Sequence, residues 1–310
     1  MDSIHAVLQA IEQSEEYCVL ASIVRVVGSS YRKEGTAALY MESGKRVGML
    51  TAGCLEEDLA LRAREMYGTN APKLIKYDLS AETETEWGRG FGCNGEIHIL
   101  LEPIDDKQRQ ALKEIKIILE QGKSVNVVKA VEGETYIHTY QPKPRLILLG
   151  AGQDARPVSK LAARLGFYVI VWDWRPSFCA YEYFPDADQR WVGAPEEVIP
   201  GLHLRQDDCV VLMTHDFQKD RELLALVRDT ELLYLGVLGP KARTSRLVLE
   251  EALLERIHSP VGLPIGAEGP EEIAVSIAAD LILHVRRGTK CQKNEEGSFL
   301  QHYLDVDFWK

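Results

Sequence analysis

Two cysteines and one glycine turn are the positions in this chain whose residue types and spacing can support chemistry. Cys54 follows Thr51-Ala52-Gly53 and opens a helical pattern, and Cys93 lies in Gly92-Cys93-Asn94-Gly95. A helix N-terminus lowers a thiol pKa, while the acids Glu56, Glu57 and Asp58 oppose that effect. The matched glycine settings suit two thiols that meet in one pocket. The alternative is two unrelated buried thiols, a common fate of free cysteine. Cys18, Cys179, Cys209 and Cys291 lie in strand or helix patterns or in an irregular run and read as structural. No C-x-x-C pair occurs, so a zinc ribbon is unsupported.

The glycine turn is Gly150-Ala151-Gly152, placed between the apolar run Leu146–Leu149 and a helical pattern that starts at Ala155. Gly150 and Gly152 allow a tight turn and a close approach of backbone to a phosphate at a helix start. Asp173 closes a second apolar run about 20 residues on, where the ribose-binding acid of a dinucleotide fold belongs. The alternative is a turn that only packs strand on helix. Arg175 suits either a phosphate or a surface ion pair.

Two further clusters follow later strands. Thr214-His215-Asp216 comes after the apolar run ending at Met213, where a histidine can bind ligand or transfer protons. Helix capping by Thr214 or Asp216 is the other reading. Gly239-Pro240-Lys241-Ala242-Arg243, with Arg246, brings cations to a helix start, which the helix dipole disfavours. An anionic ligand explains them, as does a solvated basic face.

The elements that must position these residues fall into two groups. Residues 1–143 read as an α+β domain. A first helix, with Ile4, Val7, Leu8 and Ile11 on one face, precedes strands over 17–27, 36–41 and 46–50. A helix over 55–67, strands over 73–79 and 96–101, a helix over 105–121 and a hairpin over 124–140 complete it. Pro142 and Pro144 mark a linker. From 144 to 288 strands and helices alternate, the signature of a Rossmann-type doubly wound parallel sheet. Strands are expected at 146–149, 168–172, 189–192, 209–213 and 233–237, with a short one near 262–265. Helices are expected at 155–165, 218–227, 242–255 and 270–287. Residues 289–310 form an apolar, aromatic tail.

A net charge of −11 argues against a non-specific nucleic-acid surface. No apolar run approaches the length of a membrane span, and the first residues lack the basic lead and apolar core of a signal peptide. The expectation is a soluble cytoplasmic protein with reduced thiols.

With these residues in order, the sequence resembles the XdhC/CoxI family, accessory proteins for xanthine dehydrogenase and related molybdenum hydroxylases. The markers are Gly28-Ser29-Ser30 with Arg32, Ala52-Gly53-Cys54-Leu55-Glu56, Gly92-Cys93-Asn94-Gly95, Gly150-Ala151-Gly152, Asp173 with Arg175-Pro176, Thr214-His215-Asp216, Tyr234 to Gly239, and Ile265 to Ala274. Ala52, Asn94, Tyr31 and Pro264 stand where the family pattern usually has Gly, Gly, Pro and Asp. The resemblance implies a carrier of the molybdenum cofactor (molybdopterin), a chaperone more than a catalyst. Such a protein holds the cofactor while its terminal sulfur is installed, with a cysteine desulfurase as partner, and passes it to an apo-molybdenum hydroxylase. It also implies that Cys54 and Cys93 contact molybdenum or its dithiolene, thiolates being soft ligands. Gly150, Gly152, Asp173, Arg175, Thr214, His215, Asp216, Gly239, Lys241 and Arg243 would then hold the cofactor's phosphate or a nucleotide.

Two rival classes remain: an NAD(P)-dependent oxidoreductase using the glycine turn, Asp173 and His215, and a nucleotide-binding redox switch closed by a Cys54–Cys93 disulfide. The aromatic tail, with Phe299, Tyr303, Phe308 and Trp309, either docks back on its own protomer or is buried in a homodimer, and a homodimer is the expectation. Sedimentation at micromolar concentration should show a species of twice the chain mass, and a monomer alone would refute it.

Overall fold

The computed structural model describes residues 4–51, 53, 55–69, 71–79, 95–248 and 250–295, with side chains as far as 288. The chain divides between Lys143 and Pro144 into two compact units. Among the described residues no helix is long and apolar enough to cross a membrane.

The first unit runs α1 (Ile4–Gln13), β1 (Cys18–Gly28), β2 (Ala37–Met41), β3 (Arg46–Val47), α2 (Glu56–Glu65), β4 (Lys73–Asp78), β5 (Gly95–Pro103), α3 (Asp106–Glu120), β6 (Val125–Val131) and β7 (Glu134–Tyr140). Five strands form an antiparallel sheet in the order β3-β2-β1-β5-β4, and β6 and β7 pair as a separate hairpin. The first seven residues of β1, Cys18 to Val24, are buried on both faces, and all but Ser22 are apolar. Cys18 and Leu20 pack with Ile4, Leu8 and Ile11 of α1 and Leu112 and Ile115 of α3. Val19, Ala21 and Ile23 point the other way, onto Leu59 and Ala63 of α2. The start of α3 is fixed by a reciprocal cap. Asp105 accepts from the Gln108 N–H at 2.7 Å, and the Gln108 side chain accepts from the Asp105 N–H at 2.8 Å. Arg109 on the same helix donates to the carbonyls of Ile11, Ser14 and Glu16, tying the end of α1 to α3.

A buried charge holds the hairpin to the sheet. Lys129 on β6 donates to Ser22 at 2.9 Å and to Glu102 of β5, and neither charged side chain is more than 6% exposed. Burial opposes the ammonium, but the Glu102 carboxylate outweighs it and holds the lysine pKa above its ordinary range. His138 on β7 is also buried, and its Nε2 has no partner among the described residues.

The second unit runs β8 (Arg145–Leu149), α4 (Ala155–Arg164), β9 (Tyr168–Asp173), β10 (Gln189–Val192), α5 (Pro195–Gly201), β11 (Cys209–Leu212), α6 (Phe217–Val227), β12 (Tyr234–Val237), α7 (Lys241–Leu247), α8 (Glu251–Arg256), β13 (Ile257–His258) and α9 (Gly269–Glu295). Its six strands are all parallel, in the order β10-β9-β8-β11-β12-β13. Alternate residues of each strand face opposite layers. Leu146, Leu148, Val169 and Val211 pack on Val158 of α4 and Ile277 and Leu281 of α9. Ile147, Leu149, Ile170 and Val210 pack on Val198, Leu223, Val227 and Leu253 of α5, α6 and α8. This is the doubly wound arrangement, with the direction of strand addition reversing between β8 and β11 while the strands stay parallel.

Two local expectations are corrected. The helix expected over 242–255 is two helices, because Val248 is extended (φ −122°, ψ 125°) and buries its side chain in the core. The sixth strand is Ile257–His258, not 262–265. Gly262 instead has φ +93°, and Leu263 donates to the Ser276 carbonyl on α9 at 3.2 Å. The short α5, with proline at its first position and another inside, was not foreseen.

Burial, with the nearby Lys129 charge, pushes the His138 pKa down to about 4. The folded state therefore leaves this histidine neutral while the unfolded chain takes up a proton, so its stabilising contribution is complete above about pH 6.5 and is lost as pH falls toward 4. Asp208 in the second unit, pushed up to about 6 by burial, acts in the opposite direction. Parent must therefore be compared with variant. Between pH 7 and pH 5 the parent should lose about 2 kcal/mol more than His138→Phe in urea unfolding, and equal losses would overturn the assignment.

Candidate functional site

The ligand edge of a doubly wound sheet lies beyond the strand C-termini, where neighbouring strands send their chains to opposite faces. Here that place is between β8 and β11. The chain leaving β8 at Gly150 crosses directly over the chain leaving β11. A Cβ on Gly150 would stand 2.6 Å from the carbonyl atoms of Met213 and 2.7 Å from the Thr214 nitrogen, and its φ is +117°. Only glycine fits so close a crossing in that conformation. At Gly152 an added Cβ would stand 2.9 Å from Asp154 Oδ1 and 3.7 Å from the His215 ring.

His215 has a left-handed backbone (φ +59°), uncommon outside glycine. That geometry turns its ring over the glycine loop, where Nε2 lies 2.7 Å from Asp154 Oδ2, and 61% of its side chain stays exposed. The other Asp154 oxygen is buried with no hydrogen-bond partner among the described residues. A carboxylate that orients an exposed imidazole gives this edge a group able to exchange protons with a ligand.

The neighbouring residues form one network. Thr214 donates to Asp220 Oδ1 at 2.6 Å and accepts from the Asp216 N–H at 3.0 Å. Asp216 caps α6 by accepting from the Lys219 N–H at 2.8 Å. The second Asp220 oxygen takes Arg243 Nη2 at 2.7 Å, which joins α7 to α6. Arg243 Nη1 is buried without a partner among the described residues, and its guanidinium lies 5.8 Å from the Phe217 ring. Gly239 has φ +116° and is closely covered by the Arg243 chain, while Lys241 is exposed.

Asp173 and Arg175 are brought together. The Asp173 carboxylate is fully buried and accepts the Ala151 N–H at 2.8 Å, with the Arg175 N–H, Nε and Nη2 each at 2.9 Å. Arg175 thus forms the ion pair, one of the two roles open to it, and Asp173 is no free acceptor. The Arg175 guanidinium lies over Phe178 at 3.7 Å and Trp174 at 4.2 Å.

Sequence reasoning missed Asp154 as the histidine's partner, Asp220 as the hub between Thr214 and Arg243, and the two rings over Arg175. The only signal available was an acid at a helix start where a phosphate loop has none.

In the first unit Cys54, Cys93, Ala52 and Asn94 lie outside the described residues. Glu56 accepts from the N–H groups of Leu50 (2.9 Å) and Thr51 (2.8 Å) and from the Tyr40 hydroxyl (3.0 Å). Glu57 pairs with Arg46, and Asp58 with Arg62. The three acids after Cys54 are therefore engaged by their own partners. A Cβ on Gly95 would meet the Val27 and Ser29 carbonyl oxygens at 2.5 and 2.7 Å, which explains the glycine two places after Cys93. Burial pushes the thiols of Cys179 and Cys209 up to about 11 and about 12, as expected of structural cysteines. Among the described residues no cluster of three or more His, Cys, Asp or Glu is arranged to hold a metal.

The close crossing at the sheet edge makes a direct prediction. Gly150→Ala should destabilise the chain by about 2–3 kcal/mol in urea unfolding through overpacking and an unfavourable backbone angle. A loss below about 0.5 kcal/mol would show that the crossing yields easily.

Known proteins share these features. Residues 146–281 match the XdhC Rossmann domain, and residues 11–78 match the XdhC and CoxI family. The chain is 37% identical to a Bacillus subtilis (strain 168) protein described as a probable xanthine dehydrogenase subunit, over 91% of this chain and 97% of that one. It is 23% identical to the molybdenum cofactor insertion chaperone PaoD of Escherichia coli (strain K12), over 85% and 82% of the two chains. A crystal structure from Bacillus halodurans, described as a xanthine dehydrogenase, superposes with a TM-score of 0.85 at 40% identity, covering 92% of this chain and 96% of that one. Sequence markers, the parallel sheet and near full-length relatives agree: this chain belongs to the XdhC and CoxI family.

Proposed function

We propose that this protein holds the molybdenum cofactor for a xanthine dehydrogenase-type hydroxylase, keeps it while a cysteine desulfurase supplies its terminal sulfur, and delivers it to the apo-enzyme. The observation that carries this reading is the likeness to the insertion chaperone PaoD, which extends across 85% of the chain and so spans both units. The chemistry of the residues fits. Cys54 and Cys93 offer soft sulfur donors for molybdenum or its dithiolene. Arg243 Nη1 is a buried donor with no acceptor among the described residues, and Lys241 lies exposed two residues earlier, so the cofactor's phosphate has cations to meet. His215, oriented by Asp154, supplies a proton-exchanging group at the same edge.

The names of two relatives favour a second reading, in which the protein is a standing component of the hydroxylase. Pull-down and sedimentation with the holo-hydroxylase separate the two. A chaperone binds the apo-enzyme and releases on cofactor transfer, whereas a standing component stays bound at fixed stoichiometry after loading.

The cysteine assignment has its own test. Cys54→Ala and Cys93→Ala should each weaken binding of isolated molybdenum cofactor about tenfold or more, equivalent to about 1.4 kcal/mol, with unchanged thermal stability. Arg243→Ala should weaken it as well while removing the Asp220 pair. A Cys54→Ala protein that binds the cofactor as tightly as the parent sinks the proposed sulfur contact.

A further inference from the structure

We infer that Arg175 is a built-in stopper that closes this Rossmann unit to the ribose diol of a dinucleotide. The inference rests on the geometry of the parallel sheet alone and is independent of the molybdenum cofactor reading. In dinucleotide-binding folds the acid at the end of the second strand accepts the ribose hydroxyls. Asp173 ends β9, the second strand of this sheet, and so holds that position. An ionised carboxylate has about four lone-pair sites. At Asp173 four donors fill them: Oδ1 takes the Arg175 N–H and Nε, and Oδ2 takes the Ala151 N–H and Arg175 Nη2. No acceptor capacity is left for a diol. A chain that read adenosine ribose would leave two of these sites open; here Arg175 supplies the donors that the ribose would bring.

The stopper is held firmly. Its fork is a charge-assisted, bidentate pair, and such bonds are stronger than those a neutral hydroxyl can offer. Asp173 is fully buried, so displacing the guanidinium would strand a charge without its partner. The aromatic faces of Phe178 and Trp174, at 3.7 and 4.2 Å from the guanidinium carbon, fix its position. The glycine loop is closed in part as well. Gly150 N–H donates to Trp172 O at 2.8 Å and Ala151 N–H to Asp173, so neither is offered to a phosphate. The glycine fingerprint therefore serves the fold and the adjacent His215 edge, and the ligand this unit admits is one read without a ribose–carboxylate contact.

A gain of function is the test. Fluorescence titration of the full chain with NADH should show no saturable binding to about 1 mM in the parent. Arg175→Ala should acquire saturable binding at least about tenfold tighter than that bound, and Asp173→Asn added to Arg175→Ala should remove it. Arg175→Gln, which keeps one donor on Asp173, should gain less than Arg175→Ala and serves in its place if the alanine variant does not fold. Circular dichroism and melting establish which variants are folded. Tight NADH binding by the parent overturns the inference, as does a folded Arg175→Ala or Arg175→Gln that gains nothing. Binding of NADPH but not NADH by the parent also overturns it, because Arg175 would then be a reader of the 2′-phosphate. None of these outcomes bears on binding of molybdenum cofactor, which is measured separately.

Discussion

The candidate site depends on a backbone crossing with no room for a side chain. The chain leaving β8 passes over the chain leaving β11 so closely that a methyl group at Gly150 would overlap Met213 and Thr214. The crossing is pinned from the side by Asp173, which reaches back from the end of β9 to take the Ala151 N–H. Three parallel strands are thereby locked at their C-terminal ends. His215 rests on that platform, and its unusual backbone angle is tolerated because Asp154 and the glycine loop hold the ring.

Charge is used in the two units in related ways. In the first, Lys129 and Glu102 form a buried pair that joins hairpin to sheet, and burial, reinforced by the lysine charge, keeps a proton off His138. In the second, Asp173–Arg175 ties the loop after β9 to the strand end, and Asp220–Arg243 ties α6 to α7. Buried pairs of this kind add little net stability but penalise any arrangement that separates them. They fix geometry at the edge where ligands of this fold bind. Arg243 differs from Arg175 in keeping one buried nitrogen without a partner among the described residues, which is why the two arginines are assigned different roles.

Much of the architecture is legible in the sequence because it follows from periodicity. The unbroken apolar runs of β8, β9 and β11, separated by helical patterns, can only be parallel strands covered on both faces. Cys209 sits in such a run and is buried. The features that were not legible arise where local sequence is neutral and distant packing decides. Nothing between Lys241 and Arg256 breaks a helix by composition, yet burying Val248 against the sheet does so. The sixth strand is set by pairing of Ile257 and His258 with β12, a partner more than 20 positions away. Gly262 is kept for its contact with Ser276 on α9 rather than for a strand.

The same division holds for the site. Residue order by itself determined that Gly150, Gly152, Asp173, Thr214, His215, Lys241 and Arg243 follow strand ends, because parallel strands all deliver their C-termini to one edge. It did not determine which of them are open to a ligand. That is a matter of lone pairs and donors, and only the tertiary structure allots them. Asp173 is filled by Arg175, Asp220 reaches Arg243 from another helix, and Asp154 meets His215 across 61 positions of sequence. Spacing along a chain places backbone. A side chain's partners are chosen by whatever the fold brings within about 3 Å of it, and that selection leaves no periodic mark in the sequence.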